Sequence, residues 1–139
     1  MNIDSILQGA SMPDVHELSG LTLAFIGDSV YELFVRTKIL AKGNRPASAL
    51  HNLAVGFVKA KAQSIAILKI RDSLTEEELD IYKRGRNTNI HTVPKNADMN
   101  DYRQATGLEA LIGYLYVTGQ NERLNEVLTL AFSAIETAE

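Results

Sequence analysis

Between Leu21 and Leu40 the chain runs without proline for the length of a helix, with apolar residues facing almost every direction. A helix that is apolar all round is normally buried, in the domain core or against a partner chain. Asp28 interrupts this pattern directly after Gly27. A carboxylate in such surroundings has to be paired, hydrogen-bonded or bound to metal, because burying it bare is prohibitive. Gly27 costs a helix about 1 kcal/mol relative to alanine, which points to a close approach to the backbone at that position. A second stretch, Gly107-Leu-Glu-Ala-Leu-Ile-Gly-Tyr-Leu-Tyr-Val117, is built in the same way, with Glu109 as its one acid and a glycine at Gly113.

The remaining pattern is also helical. Ser19 is a suitable N-cap for the first stretch, which closes with Lys38, Lys42 and Gly43, the cations and glycine expected at a carboxyl end. Pro13 begins a break and a short helical turn, and residues 1–12 read as a short helix or a loosely docked arm. Leu50, Leu53, Ala54, Phe57, Val58, Ile65 and Leu68 follow helical spacing, which predicts one long helix over about 47–70. Thr75 with Glu78 forms a capping box. The acids from Glu76 to Asp80 complement the dipole of the helix that starts there, so they need no metal to explain them. Leu124, Val127, Leu128, Ala131, Phe132 and Ile135 form an amphipathic stripe on a last helix. No strand alternation, repeat or low-complexity segment is present. The fold class is all-α.

Length and composition then set the frame. With 139 residues the chain makes one domain with a sizeable core. Without cysteine it has neither disulfides nor a thiolate metal site, which suits a reducing cytoplasm. No signal-type amino terminus and no membrane-length apolar run is found, so a cytoplasmic location without membrane contact is expected. The net charge of −3 weighs weakly against nucleic acid, but a local basic patch is enough for binding.

Such a patch lies between Lys83 and Asn96, where four cations and several small polar residues occur without an acid. The segment reads as a loop suited to phosphate contacts, with Lys83, Arg84, Arg86 and Lys95 supplying charge and Asn87 and Asn96 positioning bonds. An exposed basic loop without a partner is the plainer alternative. The two isolated acids likewise have two readings: each pairs with an arginine or caps a helix, or both converge on a divalent cation. An all-α nucleotide pyrophosphatase also uses carboxylates and magnesium, yet only Glu77 with Asp80 approaches its paired-acid spacing. A plain helical interaction module fits the composition and none of the motifs. From residues alone the reading stops at a metal-assisted phosphoester site in a helical domain.

Phe25-Ile-Gly-Asp-Ser-Val30 resembles the signature helix of the ribonuclease III family, and Leu108-Glu-Ala-Leu-Ile-Gly-Tyr-Leu-Tyr116 its second acidic helix. Arg84-Gly-Arg-Asn87, Val93-Pro-Lys-Asn-Ala-Asp98, Tyr102-Arg103 and Thr106-Gly107 narrow the likeness to the Mini-III branch, the catalytic domain alone. The resemblance covers roughly His16 to the end. It implies a single ribonuclease III-type catalytic domain over 1–139, a helical bundle that forms a homodimer and carries no double-stranded-RNA-binding domain. It also implies a metal-dependent endoribonuclease that cuts double-stranded RNA in the maturation of large-subunit (23S) ribosomal RNA ends. A ribosomal protein presenting that substrate is a further partner this role allows. A catalytically silent RNA-binding homologue is the alternative.

Carried over by position, Asp28 and Glu109 match the family's two key metal-binding acids, with Mg2+ as cofactor and Mn2+ as its substitute. Two other family carboxylate positions are occupied here by Ala24 and Thr106. Glu32, four residues after Asp28, shares its helical face. It is either a ligand or supporting acid, or the partner of a basic residue across the dimer. Phe25, Tyr31 and Phe34 are the candidates for contact between protomers.

Overall fold

Ser19 caps the first long helix as expected, its hydroxyl accepting the Thr22 amide at 3.1 Å, and α1 (Gly20–Ala41) follows. The computed structural model describes residues 10–88, 95 and 98–138; the expectations for residues 1–9 and Asn96 lie outside these. A short 3-10 turn, Val15–Glu17, precedes α1. After α1 come α2 (Ala47–Val58), α3 (Ala60–Ile70), α4 (Glu76–Arg86), α5 (Met99–Val117) and α6 (Asn121–Glu136). No strand occurs among the described residues, so the fold is all-α. No helix among them is long and apolar enough to cross a membrane.

The central element is α5, not α1. Its residues from Gln104 to Leu115 are buried except at Glu109, and α1, α3, α4 and α6 pack around it. Leu108, Leu111, Ile112 and Leu115 are fully enclosed, each contributing roughly 1.5–3 kcal/mol of burial. Within the protomer α1 is not buried all round, so the domain core accounts for only part of its apolar surface. One stripe of it (Leu23, Ala24, Gly27, Tyr31, Val35 and Ile39) faces the core, while Leu21, Phe25, Leu33 and Leu40 are exposed.

The α1/α5 crossing explains both helix-interior glycines. A Cβ on Gly27 would stand 1.8 Å from the Glu109 carbonyl oxygen, and one on Gly113 would stand 1.9 Å from that of Leu23. Each helix thus rests its backbone on the other's, and no other residue type leaves that room.

The long helix expected over 47–70 is broken at Lys59, whose extended backbone (φ −62°, ψ 151°) separates α2 from α3. The last carbonyls of a helix lack partners within it. Here the Tyr31 hydroxyl donates to the Phe57 carbonyl at 2.7 Å and the Gln63 side-chain amide to that of Val58 at 2.9 Å. Side chains from outside α2 stabilise the break, so local periodicity does not reveal it.

The capping box at Thr75 is complete, and its carboxylate has a second use. Arg123 of α6 donates Nε and Nη2 to the two oxygens of buried Glu78, at 2.9 and 2.8 Å. These bonds hold the Glu78 carboxyl below its ordinary value of 4.5. The stability gained is therefore full above about pH 4.5 and is lost as the pH falls through the lowered folded value. Glu78→Gln should cost roughly 3 kcal/mol at pH 7, the lower range for breaking a buried pair. Denaturant melts should show that gap closing below about pH 4. The acidic run is accounted for by capping and this pair.

Candidate active site

Backbone contact between Gly27 and Glu109 brings the neighbouring side chains together. Asp28 of α1 and Glu109 of α5 line one open concavity of about 450 Å³, completed by Val58, Ala60, Gln63, Tyr102, Ala105 and Thr106. The two acids singled out in the sequence thus share a site. Asp28 is exposed, which corrects the buried environment expected for it, whereas Glu109 is half-buried. No arginine or lysine neutralises Glu109 among the described residues.

Burial is the main cause that pushes the Glu109 carboxyl up to about 9, followed by its hydrogen bond to Asp28 and the Asp28 charge. The Glu32 charge adds to this, and a hydrogen bond from Gln63 Nε2 to Glu109 Oε2 at 3.4 Å opposes it. Beneath them Tyr31 is fully enclosed, and burial, then the Glu109 charge, raises its phenol. Two carboxyl groups lining one hollow open to solvent offer hard oxygen donors of the kind a divalent cation takes.

The other expected residues divide. Glu32 pairs with Arg36 of the same chain, one turn along α1, at 2.9 Å. Among the described residues no group of three acids or histidines converges on a metal position. Thr106 lines the concavity with its hydroxyl donating to the Tyr102 carbonyl, and Ala24 is buried in the core, so neither position adds charge.

The basic segment is corrected in part. Lys83, Arg84, Gly85 and Arg86 form the last turn of α4 rather than a loop, because Tyr82 and Gly85 are buried and cations suit a helix carboxyl end. Arg84 donates to the Leu18 carbonyl at 2.9 Å, a structural tie for the segment entering α1. Arg86 lies 5.3 Å over the Tyr82 ring and bonds Asn87, the C-cap. Lys83 and Lys95 are exposed.

Sequence reasoning missed Gln63, a buried polar residue that touches Glu109. The only signal was a lone glutamine among small and apolar residues on α3.

The Ribonuclease III domain family matches residues 21–120, which include both acids. A Mini-ribonuclease 3 of Thermoanaerobacter sp. (strain X514) is 52% identical over 122 residues, covering 88% of this chain and 86% of that protein. One from Clostridium tetani is 47% identical over 124 residues, covering 88% and 82%. The crystal structure of a Fusobacterium nucleatum protein superposes with a TM-score of 0.78 at 34% identity, covering 88% of this chain and 98% of that one.

Proposed function

Since the chain belongs to the ribonuclease III family, in its Mini-III branch, we propose that it cleaves double-stranded RNA at a divalent cation held by Asp28 and Glu109. It is an endoribonuclease of that family. The observation that carries the proposal is the juxtaposition of these two carboxyls in an open hollow, with Glu109 held up by burial and by Asp28. Such an arrangement is unfavourable until a cation balances it, and that conflict is the physical case for a metal. Mg2+ fits two carboxylates plus water and phosphate oxygens, and Mn2+ can replace it. A bound cation would supply charge to activate water and to offset negative charge developing at the phosphate. The chain's own task is to hold Asp28 and Glu109 at fixed positions, which the Gly27/Gly113 crossing does.

The substrate we infer is a duplex in the precursor of large-subunit ribosomal RNA. A duplex has approximate twofold symmetry, so cutting both strands calls for two sites and hence a homodimer. Phe25 supports this assembly. It is 79% exposed, on the same helix as Asp28 and one turn before it. Tyr31 is enclosed within the protomer and Phe34 is half-buried, packed edge-on against Phe132 with ring centres 6.1 Å apart, which leaves Phe25 the most open of the three. A-form RNA would be gripped through its backbone and 2′-hydroxyls, with Lys83, Arg86 and Lys95 as the phosphate contacts.

Arg86→Ala should weaken duplex binding at low salt and lower the slope of log affinity against log salt by about 1, the loss of one phosphate contact. Filter binding at several salt concentrations measures both. The test of the function is a precursor duplex labelled on each strand and incubated with Mg2+. Cleavage of both strands, stopped by chelator, is expected. Binding without cleavage of either strand, at any Mg2+ or Mn2+ concentration, would overturn the reading in favour of a silent RNA-binding homologue.

A further inference from the structure

The break between α2 and α3 serves the site. It leaves the Val58 carbonyl without a helical partner, and Gln63 Nε2 takes it at 2.9 Å. The same nitrogen lies 3.4 Å from Glu109 Oε2. Both partners are acceptors, so the amide must present its nitrogen to them and turn its oxygen away. Gln63 Oε1 is then buried with no hydrogen-bond partner among the described residues. Leaving such an acceptor unpaired is unfavourable. A packed apolar side chain at a position only 2% exposed would carry no such cost. The chain accepts this local cost for a side chain whose contact is with Glu109.

Resting on the proposed cation site, we infer that Gln63 is a positioning residue, its amide anchored on the Val58 carbonyl at the helix break and holding the Glu109 carboxylate at the angle at which it meets a cation. Groups that hydrogen-bond a metal-binding side chain from behind orient it, and losing them typically lowers metal affinity about 10–100-fold. Tyr31 fixes the adjacent Phe57 carbonyl, so the anchor is itself held from α1.

The test uses the full chain with Gln63→Leu and Gln63→Met, the latter keeping the unbranched length without a donor should the leucine fail to fold. Glu109→Gln is the control. Three quantities are read: Mn2+ affinity by calorimetry without RNA, the Mg2+ concentration for half-maximal cleavage, and melting in chelator. Both Gln63 variants should bind Mn2+ about 10–100-fold more weakly and need correspondingly more Mg2+. Excess Mg2+ should restore most of the rate, and melting in chelator should stay close to the parent, because the unpaired Oε1 disappears while the Val58 carbonyl loses its partner. Unchanged Mn2+ affinity in a folded Gln63 variant, with affinity lost in Glu109→Gln, would overturn the positioning role alone. Unchanged Mn2+ affinity in Glu109→Gln would overturn the cation site itself and this inference with it.

Discussion

Asp28→Asn and Glu109→Gln should each reduce duplex cleavage on the order of 10³-fold or more. Charge stabilisation by a cation is worth several kcal/mol, and each 1.36 kcal/mol is tenfold in rate. RNA binding should stay the same or tighten slightly, because an anion leaves a surface that faces phosphates. The two variants should differ in stability. Burial and Asp28 raise the Glu109 carboxyl to about 9, above its ordinary 4.5. A carboxyl whose folded value is raised contributes stability that is full below its unfolded value and lost as pH rises toward the folded one. In chelator at pH 8, Glu109→Gln should therefore melt several degrees above the parent, and the difference should shrink as the pH falls and vanish below about pH 4. Saturating Mg2+ should stabilise the parent and leave Glu109→Gln unchanged. A variant that melts lower than the parent in chelator at pH 8 would show that Glu109 is a structural acid.

Gly27→Ala should be, with Gly113→Ala, the most damaging single methyl addition among the described residues. Its Cβ would sit 1.8 Å from the Glu109 carbonyl oxygen, and backbone cannot swing aside as a side chain does. The two central helices would have to separate, at a cost of roughly 3 kcal/mol or more, beyond ordinary overpacking. Any folded fraction should also cut poorly, since the same contact sets the spacing of Asp28 and Glu109. Gly56→Ala is the matched control. It lies inside α2 with nothing within 4 Å of a built Cβ, so it should be neutral or stabilise by up to about 1 kcal/mol. Chemical denaturation of the two alanine variants beside the parent measures both, and equal stabilities would refute the crossing argument.

The contrast between these glycines marks what the sequence makes legible. Gly27 and Gly113 each sit in an apolar helix close to an acid, a pairing that local chemistry disfavours and only tertiary contact explains. That conflict made Asp28 and Glu109 stand out, and the capping box at Thr75 and the apolar stripe of α6 were equally local signals. What stayed hidden depends on distant partners. The break at Lys59 rests on Tyr31 and Gln63 taking the Phe57 and Val58 carbonyls. The helical state of Lys83 to Arg86 depends on Tyr82 and Gly85 being buried. The exposure of Phe25 and Asp28 was masked because α1 carries apolar residues on the faces that its own domain does not cover.

The central claim is that Asp28 and Glu109 together hold the cation that makes this chain a nuclease. It is tested most directly by the cleavage rate of a duplex RNA against Mg2+ concentration, for the parent and Asp28→Asn side by side. Saturable, chelator-sensitive cleavage by the parent, absent from the variant while both bind the duplex, is the predicted result. Equal cleavage by the two proteins, or cleavage that persists in chelator, would contradict it.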